Sequence, residues 1–198
     1  AGWALAALLC VAAAGVASAA DWPQWLGPNR DRKSPDKGLL KSWPTDGPKL
    51  LWKNTGIGKG FSSPTIAGGQ IFITGDEGAD LILYALDMEG NTKWQTKVGT
   101  SWTRNHPGSR SSPVVDDGRV YIESGDGTVT CCDVRTGNKH WSTDIKQFGG
   151  RPHAWGYAES VLIHDDLAIV TPGGAQCMVA LNKKTGKKVW SSSGFHAP

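Results

Sequence analysis

An all-β chain built from repeated four-stranded antiparallel units is predicted by three features of the sequence. A string ending in tryptophan recurs at 85–94, 131–141 and 180–190, so that Trp94, Trp141 and Trp190 return every 47 to 49 residues. A second landmark, Ser63-Pro64, Ser112-Pro113 and Ser160-Val161, keeps the same beat. Between the landmarks, short β-branched runs alternate with turns rich in Gly, Asp and Asn, residues that tolerate positive φ. Four short strands in a period near 48 residues is the pattern of a β-propeller blade.

Taken in chain order, residues 1–20 carry no charge and are mostly Ala, Leu and Val, ending in Ala17-Ser18-Ala19-Ala20 before Asp21. An apolar run closed by small residues predicts a secretory signal peptide cut after Ala19 or Ala20, with an uncleaved membrane anchor as the alternative. Leu9 before Cys10 and an apolar run after it exclude a lipobox. The expected product is exported, to the periplasm or the cell exterior, with no stable membrane insertion after cleavage. Residues 21–48 read as an N-terminal extension. Residues 49–53, Lys49-Leu50-Leu51-Trp52-Lys53, read as a closing strand D with its own tryptophan. Blades follow near 61–97, 110–144 and 158–193, together a partial propeller over 49–198. The start at Ala1 and the stop at Pro198 predict a fragment.

In the middle unit, Pro113-Val114-Val115 forms strand A, 119–123 strand B, 128–133 strand C and the stretch around Trp141 strand D. Asp87 and Asp133 are expected to cap the turn between strands C and D. Trp52, Trp94, Trp141 and Trp190 are expected to dock neighbouring blades, a large ring covering the seam. Net charge is +3, from 21 Lys+Arg against 18 Asp+Glu, too mild for a nucleic-acid footprint. Once the signal is gone, Cys131, Cys132 and Cys177 are an odd set without a CxxC spacing, so neither a disulfide framework nor a zinc site is expected. No metal site is predicted.

The string Ala-Leu-Asp-x-x-Thr-Gly-x-x-x-Trp resembles the pyrroloquinoline-quinone-type (PQQ-like) propeller repeat. Together with Asp21-Trp22-Pro23-Gln24-Trp25, Gly27-Pro28-Asn29-Arg30, Phe148-Gly149-Gly150 and Thr171-Pro172-Gly173-Gly174, the chain is similar to a group of exported bacterial PQQ-like proteins. That resemblance implies a ring of roughly seven or eight blades, about half of it present here. The repeat is shared by quinoprotein dehydrogenases and by propellers that bind no quinone, so it speaks to fold more than to chemistry. Some of those dehydrogenases carry a disulfide between adjacent cysteines. Cys131-Cys132 lies inside strand C, where neighbours face opposite sides of a sheet, and reads instead as two small buried hydrophobes.

Chemistry is expected on the two long connections that enter strand A, because loops longer than the usual four to six residues tend to carry function. The first, 98–110, holds Trp102, Arg104, Asn105, His106 and Arg110; the second, 148–158, holds Arg151, His153, Trp155 and Tyr157, with Glu159 just beyond. Arg pairs with oxygens and rings stack, so these ten residues are ligand-binding candidates for an anionic or carbohydrate-like molecule. Packing of the loops onto the blade tops is the competing reading. Glu159 stands where Ser62 and Ser111 stand in the other units; a metal, a base or an ion pair with Arg110 or Arg151 are its options, the ion pair foremost. Gly56-Ile57-Gly58-Lys59-Gly60 lacks the remainder of a phosphate loop and reads as a flexible connection. The expected role is a binding or scaffolding module that meets another exported protein or a small polar ligand. The alternative is a PQQ-dependent dehydrogenase of an alcohol or sugar, with PQQ and calcium as cofactors under that reading alone. A hydrolase or sugar-binding domain is a third possibility.

Overall fold

The structure, a computed structural model, describes residues 19–194. The body of the expected signal peptide, residues 1–18, lies outside them. No helix among the described residues is long and apolar enough to cross a membrane.

Three four-stranded antiparallel sheets form the blades, each ordered as its strands follow in the chain. Blade 1 contains β1 (Thr65–Ala67), β2 (Gln70–Glu77), β3 (Asp80–Leu86) and β4 (Thr92–Thr100). Blade 2 contains β5 (Val114–Asp116), β6 (Arg119–Glu123), β7 (Thr128–Asp133) and β8 (Lys139–Asp144), followed by a 3-10 turn, Ile145–Phe148. Blade 3 contains β9 (Leu162–His164), β10 (Leu167–Val170), β11 (Val179–Asn182) and β12 (Lys188–Ser191). Strands β3 and β7 are buried along almost their whole length on both faces: β7 lies between blades 1 and 3, while β3 has blade 2 on one face and Ile57, Ile66 and Ile73 packed on the other. The outer strands β4 and β8 alternate exposed and half-buried residues along most of their length.

Two apolar cores fill the seams. Phe72, Leu83, Val98, Val120 and Cys132 join blades 1 and 2; Tyr121, Val129, Cys131, Val161 and Leu181 join blades 2 and 3. Cys131 and Cys132 therefore pack on opposite faces of β7, and both are buried free thiols. Burial pushes both thiols up, Cys132 to about 12, so neither is a thiolate at neutral pH.

The outer rim repeats one joint. Asp87, Asp133 and Asn182 accept backbone N–H bonds from residues two to four ahead and turn the chain into the last strand. That turn carries Gly90, Gly137 and Gly186, with φ of 85°, 72° and 70°. The indole of Trp94 lies flat over Gly137 and donates to the Val134 carbonyl at 3.3 Å, while Thr96 donates to Gly137. Trp141 lies over Gly186 and donates to Lys183, with Thr143 donating to Gly186. Trp52 and Asn54 repeat the arrangement on Gly90. Residues 49–53, expected as a strand, pair with no strand among the described residues, and Leu50 and Leu51 stay exposed; Trp52 alone takes the strand-D position. Trp190 covers no such turn among the described residues and is 38% exposed.

The inner edge is tied by a serine ladder. Ser112 Oγ accepts the Ser63 N–H at 3.0 Å, and Ser160 Oγ accepts the Ser112 N–H at 3.1 Å. The extension lies along this edge: Trp22 exchanges both backbone bonds with Ile66 of β1, and the Pro23 carbonyl accepts from Val115 of β5. The segment 56–60 is not the flexible connection expected. Lys59 exchanges backbone bonds with Asp76, and Gly60 bridges Ser109. A Cβ at Gly58 or Gly60 would collide with Asp76 or Ser109, so these glycines serve close backbone approach.

Candidate functional site

Both long connections rise from the same end of the blades and touch each other. In the first, Trp102 is 5% exposed; its backbone N–H donates to an Asp76 carboxylate oxygen at 3.1 Å and its indole N–H to the Asn105 carbonyl at 3.1 Å. Gly125 and Gly156 lie against its ring, where a Cβ would not fit. Arg104 and Arg110 sit over the Trp102 ring at 5.6 and 5.8 Å. Arg110 also donates to the carbonyls of Gly108, Asn105 and His106. Its guanidinium is thus spent largely on holding its own loop. His106 stacks on Trp155 of the second connection, centroids 4.9 Å apart, and this joins the loops.

The second connection walls a cavity of about 480 Å³ between it and the end of β10. Arg151, His153, Tyr157, Glu159, Thr171 and the paired Gly173-Gly174 line it. Tyr157 donates to the Pro172 carbonyl at 2.9 Å and packs against Gly127. Burial, helped by the charges of Glu123, Asp144 and Glu159, pushes its phenol up to about 12, so it remains a hydrogen-bonding neutral ring. Glu159 accepts from the backbone N–H and hydroxyl of Thr171; this replaces the expected ion pair with Arg110 or Arg151. The side chains of Arg151 and His153 have no partner among the described residues, so two donors face the cavity unspent.

A smaller cavity of about 210 Å³ lies on the other side of Ala158, lined by Trp25, Phe61, Arg110, Ser112 and Ser160. Arg110 and Glu159 therefore border adjacent cavities, Trp155 bridges to His106, and Arg104 lines neither cavity.

Sequence reasoning missed Glu123, the last residue of β6. It is 1% exposed, and neither carboxylate oxygen has a hydrogen-bond partner. Burial first, and Glu159 second, raise its acid well above the ordinary carboxylate range. The signal was present in the repeat: Ser62, Ser111 and Glu159 each bond the residue twelve positions on, Thr74, Glu123 and Thr171.

Among the described residues, no group of three or more His, Cys, Asp or Glu side chains could hold a metal ion. With the two adjacent cysteines buried on opposite faces of β7, the described residues do not fit a calcium-bound quinone resting on a cysteine pair.

Residues 99–196 match the protein family described as outer membrane protein assembly factor BamB. Quinoprotein alcohol dehydrogenase PedH of Pseudomonas putida is 34% identical over 85 residues, which is 42% of this chain and 14% of PedH. Among solved structures, a europium-containing methanol dehydrogenase is similar with a TM-score of 0.55 at 19% identity, over 73% of this chain and 27% of the other. BamB from Moraxella catarrhalis is similar with a TM-score of 0.50 at 24% identity, over 67% and 36%. The chain thus spans well under half the length of each of these proteins, and the structural likeness speaks to the fold. Blades 2 and 3 lie within the stretch that matches this family, and all three blades share the β-propeller fold of these solved structures.

Proposed function

We propose that this chain, a stretch of PQQ-like repeat propeller, acts outside the cytoplasm as a binding module. Its cavity beside blade 3 takes a small polar ligand bearing an anionic group. The observation that carries this reading is the pair of unspent donors, Arg151 and His153, on one wall of a cavity whose far side holds Glu159 and Thr171. A guanidinium pairs with a carboxylate through two parallel bonds, and the Tyr157 ring adds a flat apolar surface of the kind sugars use. Gly173 and Gly174 open the far wall so that backbone groups come within reach of the ligand.

Calorimetric titration with a uronic acid and with the matching neutral sugar tests this. The acid is expected to bind and the neutral sugar to bind at least tenfold more weakly. Arg151→Ala should remove most of that discrimination, the loss of one charged hydrogen-bond pair. Equal affinity of wild type and Arg151→Ala for the acid contradicts the proposal.

A second reading rests on the 85-residue similarity to PedH: oxidation of an alcohol with PQQ. The described residues favour it less, for the reasons of fit given above. Titration of the protein with PQQ and calcium separates the two readings, since saturable quinone binding supports the dehydrogenase and its absence the binding module.

A further inference from the structure

The two seams between blades differ at one repeated position. At the first seam, the Thr74 hydroxyl in β2 donates to the Ser111 carbonyl of the next blade at 3.3 Å. At the second, the same position is Glu123, and the residue opposite it in the next blade is Glu159. The position is built for a donor across the seam. A carboxylate there is an acceptor only, and with both acids ionised neither Glu123 oxygen finds a donor. With a proton on Glu123, the contact becomes a hydrogen bond to Glu159.

We propose that Glu123 and Glu159 carry one proton between them. Glu123 is the acid donating across the seam to the Glu159 carboxylate, and removal of that proton as pH rises loosens blades 2 and 3 beneath the cavity. Like charges in a buried site cannot both ionise cheaply. Thr171 donates to Glu159 twice, whereas the Glu123 carboxyl receives no donor at all. The other titratable and charged groups around the pair are Tyr157 above it and Asp144 beyond, Arg151 and His153 on the cavity wall, and Arg110 in the adjacent cavity. Tyr157 stays neutral, and what favours retention of the proton on Glu123 is its burial first and the Glu159 carboxylate second.

The sign follows from linkage. An acid whose folded value is raised stabilises the fold fully below its unfolded value, and that stability is lost as pH climbs through the folded value. The test follows side-chain carboxyl resonances of the full chain, with ¹³C-labelled glutamate, alongside melting temperature across a pH series. One glutamate is expected to titrate well above the others, and this resonance should vanish in Glu123→Gln, whose amide donates at every pH. The wild-type melting temperature should fall through that titration, and the Glu123→Gln profile should stay flat there. If all glutamates titrate in the ordinary carboxylate range, or if Glu123→Gln falls as steeply as wild type, the proposal is overturned. Should that variant not fold, Glu159→Gln decides: loss of the neighbouring charge must move the Glu123 titration downward, and an unmoved titration refutes the pair.

Discussion

The outer rim and the inner end of the seams follow opposite rules. At the rim, Trp52, Trp94 and Trp141 meet Gly90, Gly137 and Gly186 through the same stacked ring and a polar residue two positions on, Asn54, Thr96 and Thr143. At the inner end, Thr74 meets Ser111 at one seam while Glu123 meets Glu159 at the other. Repetition preserved what holds blades together and gave way where a cavity opens. The lesson is that a departure from the repeat marks chemistry better than residue type does: the Arg-rich loop 98–110 ends as packing around Trp102, whereas the cavity lies beside the diverged glutamate.

The largest effect is expected at the rim, where two glycines of nearly equal φ separate docking from backbone strain. Gly137 (72°) and Gly118 (71°) both sit in left-handed turns, yet a Cβ on Gly137 would lie 2.5 Å from the Trp94 ring while one on Gly118 meets nothing within 4 Å. Gly118→Ala should cost about 1 to 2 kcal/mol, the left-handed penalty alone. Gly137→Ala should cost that and about 1 to 3 kcal/mol more, the cost of overpacking. Urea unfolding of both variants measures the difference, and equal destabilisation would mean that the indole contributes little to the joint.

Much of this rim was legible beforehand. The recurring tryptophan, the Asp-to-Gly turn and the strand order all lie within one repeat, so aligning the chain with itself exposes them. What stayed hidden depends on the distance between segments remote in sequence. Gly58 and Gly60 look like flexible linker residues until Asp76 and Ser109 are seen pressed against them. Trp22 looks like part of a separate extension until its backbone pairs with Ile66. Glu159 looks like a partner for arginine, but Thr171, just beyond β10, reaches it first. Glu123 was overlooked because only its place in the repeat, and not its neighbours in sequence, sets it opposite Glu159.

A smaller effect is expected from the serine ladder, which offers a control on the inner edge. Ser112→Ala removes the acceptor of the Ser63 N–H, and Ser160→Ala removes the acceptor of the Ser112 N–H. Each should cost about 1 kcal/mol, one neutral hydrogen bond, and the two losses should match because the ladder is repetitive. Amide hydrogen exchange reads them separately, with faster exchange at Ser63 in the first variant and at Ser112 in the second. A several-fold greater loss at Ser160 would show that the site beside blade 3 extends into the ladder.

The most direct test of the division between a structural rim and a chemical inner cavity is a map of amide chemical shifts during titration with a uronic acid. Perturbations are expected only at Arg151, His153, Tyr157, Thr171 and the Gly173-Gly174 pair, with the rim turns at Gly137 and Gly186 unmoved. Perturbations centred on those rim turns, or on the Trp102 loop with the 151–174 cavity silent, would contradict that division.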